Sequence, residues 1–243
     1  MTLPLAFLWI AVVSFFCLLG AWYARRYNRP DALIAFYVTL VIFSNIAVSK
    51  TVTFNLWFME LYAPVTVLIF SVTFLLTDIV NERFGKHETQ RMILIALFSQ
   101  IALVLFSFLV VKAQGAPFFE NQAAFEALLS NVPRVVVASL IAFFVSENVD
   151  AYLFQWFKKL TGGKHLWMRN AFSSIPAMLL DSALFITLAF YGIMPIWPLI
   201  IGLSMTKWLV GVIDIPFMYL SRAVLGKHTK DVHVEAPLPY SGM

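Results

Sequence analysis

Seven apolar runs divide the chain, at about 4–23, 32–49, 63–80, 91–111, 133–156, 170–192 and 197–221. A helical bilayer crossing needs about 20 mostly apolar residues. The pattern therefore predicts an all-α membrane protein, a polytopic bundle of about seven transmembrane helices. The sixth run, NAFSSIPAMLLDSALFITLAFYG, carries Asp181 near its centre. A charge there costs about 2.5–3.5 kcal/mol on insertion scales. The fifth run holds a similar phrase, Ser146-Glu147-Asn148-Val149-Asp150-Ala151-Tyr152-Leu153-Phe154, against Ala177-Met178-Leu179-Leu180-Asp181-Ser182-Ala183-Leu184-Phe185. Each places an acid four residues before a phenylalanine, on one helical face. Two apolar helices that both accept this cost predict a polar site between them.

Composition agrees. Of 243 residues, 61% are hydrophobic and 12% charged, with a mean hydropathy of +0.84. A soluble domain so composed could not cover its surface with polar groups. The net charge of +4 does not point to nucleic acid, because the basic residues cluster in the short segments between apolar runs. Arg25, Arg26, Arg29, Arg83, Lys86, Arg91, Lys158, Lys159, Lys164, Arg169, Arg222, Lys227 and Lys230 fall on one predicted side; Lys50, Lys112 and Arg134 fall on the other. Thirteen against three is a strong positive-inside bias. It predicts an outer N-terminus and a cytoplasmic C-terminus. Trp22, Tyr23, Trp57, Tyr62, Trp156, Trp167, Tyr191 and Trp197 stand at predicted span edges, as interfacial aromatic belts do. The lone Cys17 excludes an internal disulfide and argues against a zinc site.

The first run lacks a basic segment before it and a small-residue cleavage site after it, so it reads as a retained helix rather than a signal peptide. The expected organisation is an extra N-terminal helix with a basic loop over 1–30, a six-helix core over 31–225, and a disordered cytoplasmic tail over 226–243. Two outer connections have character of their own. Residues 51–62, TVTFNLWFMELY, read either as a surface helix or as an extended segment entering the interface. Residues 117–131, with Phe125, Leu128 and Leu129 set against Glu120, Gln122 and Glu126, read as a short surface helix.

The polar residues inside the spans carry the functional expectation. They are Asn45, Asp78, Glu82, Gln100, Glu147, Asp150, Asp181, Lys207 and Asp214. Counted at about 1.5 Å per residue from the cytoplasmic ends, Glu147 and Asp214 lie roughly 12–17 Å deep and Asp181 roughly 18 Å. Each has a plain structural reading beside the functional one. Asp78 and Glu82 sit near a helix end, within reach of water. Asn45 and Gln100 serve either as interhelical glue or as ligands. Lys207 pairs with Asp181 or Asp214. One lysine cannot neutralise three or four acids, so the surplus calls for water, protons or a substrate. Pro176 and Pro216, each within five residues of an intramembrane acid, remove backbone donors and predict broken or kinked helices of the kind transporters use near the midplane.

These motifs, taken in order, resemble the bacterial queuosine precursor transporters, also called vitamin uptake transporters. The resemblance rests on Asp78-Ile79-Val80-Asn81-Glu82-Arg83-Phe84-Gly85-Lys86, on the two repeated phrases, on Arg169-Asn170, and on Phe185, Ala189-Phe190 and Gly192. Lys207, Asp214, Pro216 and Tyr219 match in the last span. It covers roughly 36–222. Where the family pattern has glutamine in both repeats, this chain has Glu147 and Met178, and a Phe-Pro pair of the family reads Phe70-Ser71. The resemblance implies a transporter, not an enzyme, that imports 7-cyano- or 7-aminomethyl-7-deazaguanine or a related base across the bacterial cytoplasmic membrane. It implies no cofactor and no nucleic-acid partner, with membrane lipid around it and room for a homo-oligomer.

The chemistry of such a base fits the residues. Its N1–H and exocyclic amine suit one carboxylate, Glu147 or Asp181. Its carbonyl suits Lys207 or Asn45, and its flat ring suits Phe154, Phe185, Trp208 or Met178. Asp150 and Asp214 remain for orientation. Three other readings compete. A retinal protein would place an acid one turn before its lysine, where this chain has Leu203. A membrane enzyme would show a hydrolase or metal motif, and none is present. A substrate-binding subunit of an ATP-driven vitamin importer would need a separate energising partner.

Overall fold

The computed structural model describes residues 3–56, 59–160 and 166–209. The chain runs through α1 (Leu3–Tyr27), α2 (Asp31–Ala47), β1 (Thr51–Leu56), β2 (Met59–Pro64), α3 (Val67–Phe84), α4 (Lys86–Lys112), α5 (Gln122–Ser130), α6 (Val132–Leu160) and α7 (Leu166–Phe190). A last helix, α8, covers Ile196–Leu209. The described residues are mostly helical, and the apolar runs among them became helices. Two stretches, Lys86–Lys112 and Gln122–Asp150, are long and apolar enough to cross a bilayer among the described residues; α2, the end of α7 and α8 are shorter apolar helices. The expected tail, with Pro216 and Asp214, falls outside the described residues.

Apolar side chains divide between an inner and an outer surface. On α4, Phe98, Leu105, Phe106 and Leu109 are exposed, whereas Met92, Ala96 and Gln100 are buried. A long helix that turns leucine and phenylalanine outward is stable only where the solvent is itself apolar. Two cores lie within. One joins α1 to α4 through Cys17, Ala21, Leu33, Leu76, Val80 and Met92. The other joins the hairpin and the start of α3 to α6, α7 and α8 through Ala63, Val67, Ala138, Ile186, Phe190 and Leu203.

Three differences from the expected architecture stand out. Residues 51–64 form neither a surface helix nor a single extended segment. They fold into an antiparallel hairpin, with Thr51 opposite Pro64 and Leu56 opposite Met59. In β2, Leu61 and Ala63 are buried while Glu60 and Tyr62 are exposed, the period of two that a strand imposes. The hairpin consumes residues assigned to the third span, so α3 starts at Val67 instead of about 63. Secondly, α7 is not broken at Pro176, which sits inside a continuous helix. Thirdly, α3 and α4 are separated by Gly85 alone, at φ 83° and ψ 175°. A left-handed φ of this kind is open to glycine at little cost.

The expected surface helix over 117–131 is present as α5, with no buried residue. At the junction of α6 and α7, Arg134 donates from Nε to the Leu188 carbonyl and from Nη2 to the Tyr191 carbonyl, both at 2.8 Å. These last carbonyls of α7 have no partner within their own helix, and a cation there also meets the negative end of the helix dipole. Arg134 thereby ties the start of α6 to the end of α7 and sets the two helices antiparallel.

Candidate functional site

The cavity that brings the predicted polar residues together lies where α2, the base of the hairpin, α6, α7 and α8 meet. This slot has an empty volume of about 530 Å³. Asp181 and Lys207 line one part of it; Ser44, Asn45, Thr66 and Ser139 supply the other polar groups. Phe143, Phe185, Val48, Pro64, Val67 and Leu203 form the apolar walls.

Asp181 and Lys207 form an ion pair through Oδ2 and Nζ, with side chains 19% and 12% exposed. The pairing follows from the helices: α7 accepts one acid at its middle, and α8 brings the lysine from the facing side. An unpaired charge at either position would carry the full desolvation cost. Behind the pair, Ser146 Oγ lies 3.1 Å from the Phe143 carbonyl and 3.4 Å from Asp181 Oδ1. Its single proton serves one acceptor or the other. Even with Lys207 engaged, the Asp181 carboxylate retains lone pairs for a further donor.

Asn45 is buried and donates through Nδ2 to Gln100 Oε1 at 3.2 Å. It is interhelical glue between α2 and α4 and at the same time lines the cavity. Phe185 presents its ring to the slot and meets Phe190 edge-on, centroids 6.0 Å apart at 89°.

Not every expected site residue joins this cavity. Met178 is 39% exposed and does not line it; with Ile175 and Leu179, also exposed, it belongs to the outer face of α7. Asp150 is absent from the lining, and its Oδ1 is buried without a hydrogen-bond partner. The two acids of the repeated phrase therefore occupy different environments. Glu147 lies in α6 with its side chain outside the described set, and Asp214 lies outside the described residues altogether. The sequence reading missed Ser44, Thr66, Ser139 and Phe143. Hydroxyls and phenylalanines are too common in apolar helices for spacing to single these out.

The sequence profile of the putative vitamin uptake transporter family matches residues 64–221. The chain belongs to that family. This stretch begins at the end of the hairpin and contains Asp181, Phe185 and Lys207. Over 186 residues the chain is also 27% identical to a probable queuosine precursor transporter of Bacillus subtilis (strain 168), an alignment covering 75% of this chain and 80% of the relative. No solved structure matches the chain. The family is one of transporters rather than enzymes.

Proposed function

We propose that this protein imports a queuosine precursor, 7-cyano- or 7-aminomethyl-7-deazaguanine or a closely related base, across the bacterial cytoplasmic membrane. The observation that carries the reading is the Asp181–Lys207 pair in an aromatic-walled cavity of a family member that is similar to a probable queuosine precursor transporter. A guanine-like edge presents two adjacent donors and a carbonyl. A carboxylate beside an ammonium presents the complementary acceptors and donor, and Phe143 and Phe185 supply faces for the ring. Such an edge could insert into the ion pair without leaving either charge unmatched. Asn45 takes the part of a further polar contact, Glu147 is the alternative acceptor for the donor edge, and Asp150 and Asp214 are assigned to orientation. Uptake of labelled 7-cyano-7-deazaguanine by cells unable to make the precursor tests the reading. Accumulation is expected with the protein and not without it; equal accumulation would overturn it.

In this arrangement seven helices cross the membrane, with the N-terminus outside and the positively charged segments 24–31, 81–90, 157–169 and 222–243 in the cytoplasm. The basis is the thirteen-to-three division of Lys and Arg. Cysteines placed at Lys164 and Gln122, in a chain whose Cys17 is replaced, are expected to label from opposite sides with a membrane-impermeant maleimide. Labelling of both from the outside would reverse the assignment.

A further inference from the structure

Several hydroxyl groups on the described helices share a habit that Ser44 does not follow. Thr39, Ser99, Ser182, Ser204 and Thr206 each donate to the carbonyl four residues earlier, at 2.7–2.9 Å. This back-bonding is the ordinary way a helical serine or threonine satisfies itself among apolar neighbours. Ser44 on α2 is 5% exposed, and its Oγ is buried with no hydrogen-bond partner. It lines the same slot as Asp181 and Lys207. A buried hydroxyl left without a partner costs roughly 1–3 kcal/mol, a cost a helix can normally avoid by one rotamer change. A group held unsatisfied on a cavity wall is ready for a partner that arrives from outside the protein.

We propose that Ser44 is a substrate-binding residue, which accepts a hydrogen bond from the ring N–H at the end of the base remote from its guanine-like edge. The proposal rests on the functional reading above and adds the second end of the ligand. α7 and α8 bring the charged pair to the slot, and α2 brings the uncharged Ser44 and Asn45. In a 7-deazapurine whose amide edge sits on the ion pair, the atom opposite that edge is N9. In the free base N9 carries a hydrogen; in a nucleoside it carries a sugar. A hydroxyl that accepts from that N–H selects the free base over its nucleoside.

The test is binding to the purified full-length protein in lipid nanodiscs, with 7-cyano-7-deazaguanine and its 9-methyl derivative as ligands. Ser44→Ala is expected to weaken binding of the base roughly fivefold, the worth of one neutral hydrogen bond. Thermal stability is expected to stay unchanged or rise, since no protein partner is lost. The 9-methyl derivative is expected to bind wild type poorly, and the methyl penalty to shrink in Ser44→Ala. The double variant Asp181→Asn/Lys207→Met, which strands no charge, supplies the separating arm. Wild-type affinity in Ser44→Ala alongside lost affinity in the double variant would overturn the assignment of Ser44 and leave the functional reading standing. Wild-type affinity in both would overturn the two together.

Discussion

Asp181→Asn is expected to abolish uptake, and the double variant Asp181→Asn/Lys207→Met is expected to recover stability without recovering uptake. The two charges lie four-fifths or more out of solvent and face each other across α7 and α8. Removing the carboxylate alone strands the Lys207 ammonium, and breaking a buried pair in this way costs about 3–5 kcal/mol. The single variant therefore confounds folding with function. Removing both charges eliminates the stranded ion, and pairs replaced by apolar or neutral groups are often as stable as the original. Thermal unfolding of the purified proteins and uptake in precursor-requiring cells separate the two roles. A double variant that regains both stability and uptake would show that the pair only holds helices together.

The pair itself was legible in the sequence because charge is rare in apolar runs. An acid at the middle of one helix and a lysine in the next have few explanations besides each other or a ligand. The helices were equally legible, since 20-residue apolar runs have little choice in a bilayer. What escaped was set by contacts between residues distant in the chain. The repeat made Asp150 and Asp181 look equivalent, yet only Asp181 lines the slot; the motif fixes a face and not what packs against it. Met178 turns outward, because a helix position three residues before Asp181 lies near the border of the buried face. The unsatisfied state of Ser44 depends on one rotamer, which no spacing encodes. The hairpin was half-legible. Glu60-Leu61-Tyr62-Ala63 alternates with the period of a strand, but over a stretch too short to outweigh its apolar neighbours.

That hairpin depends on one glycine, and Gly202→Ala is expected to dislodge it. Open sheet edges do not survive at membrane depth unless protein covers them, and here β2 lies directly against α8. A Cβ built on Gly202 would come within 1.9 Å of the Tyr62 carbonyl oxygen, 2.6 Å of its carbon and 2.9 Å of its nitrogen. All three obstacles are backbone, so no rotamer change relieves the overlap; the strand or the helix must move. Overpacking in a close-packed interior typically costs about 1–3 kcal/mol, and a backbone clash belongs at the upper end or beyond. Gly20 provides the comparison. Its nearest obstacle is Leu33 Cδ2 at 2.8 Å, the far end of a side chain that can turn aside. Gly20→Ala is therefore expected to cost less than Gly202→Ala in thermal unfolding. Because the base of the hairpin also walls the slot at Pro64 and Thr66, Gly202→Ala is further expected to impair uptake, while Gly20→Ala leaves it largely intact. Trimming the Tyr62 side chain in the background of Gly202→Ala is expected to rescue neither property, since the side chain is not what obstructs. Wild-type stability in Gly202→Ala, or rescue by Tyr62→Ala, would mean that β2 does not lie on α8 as described.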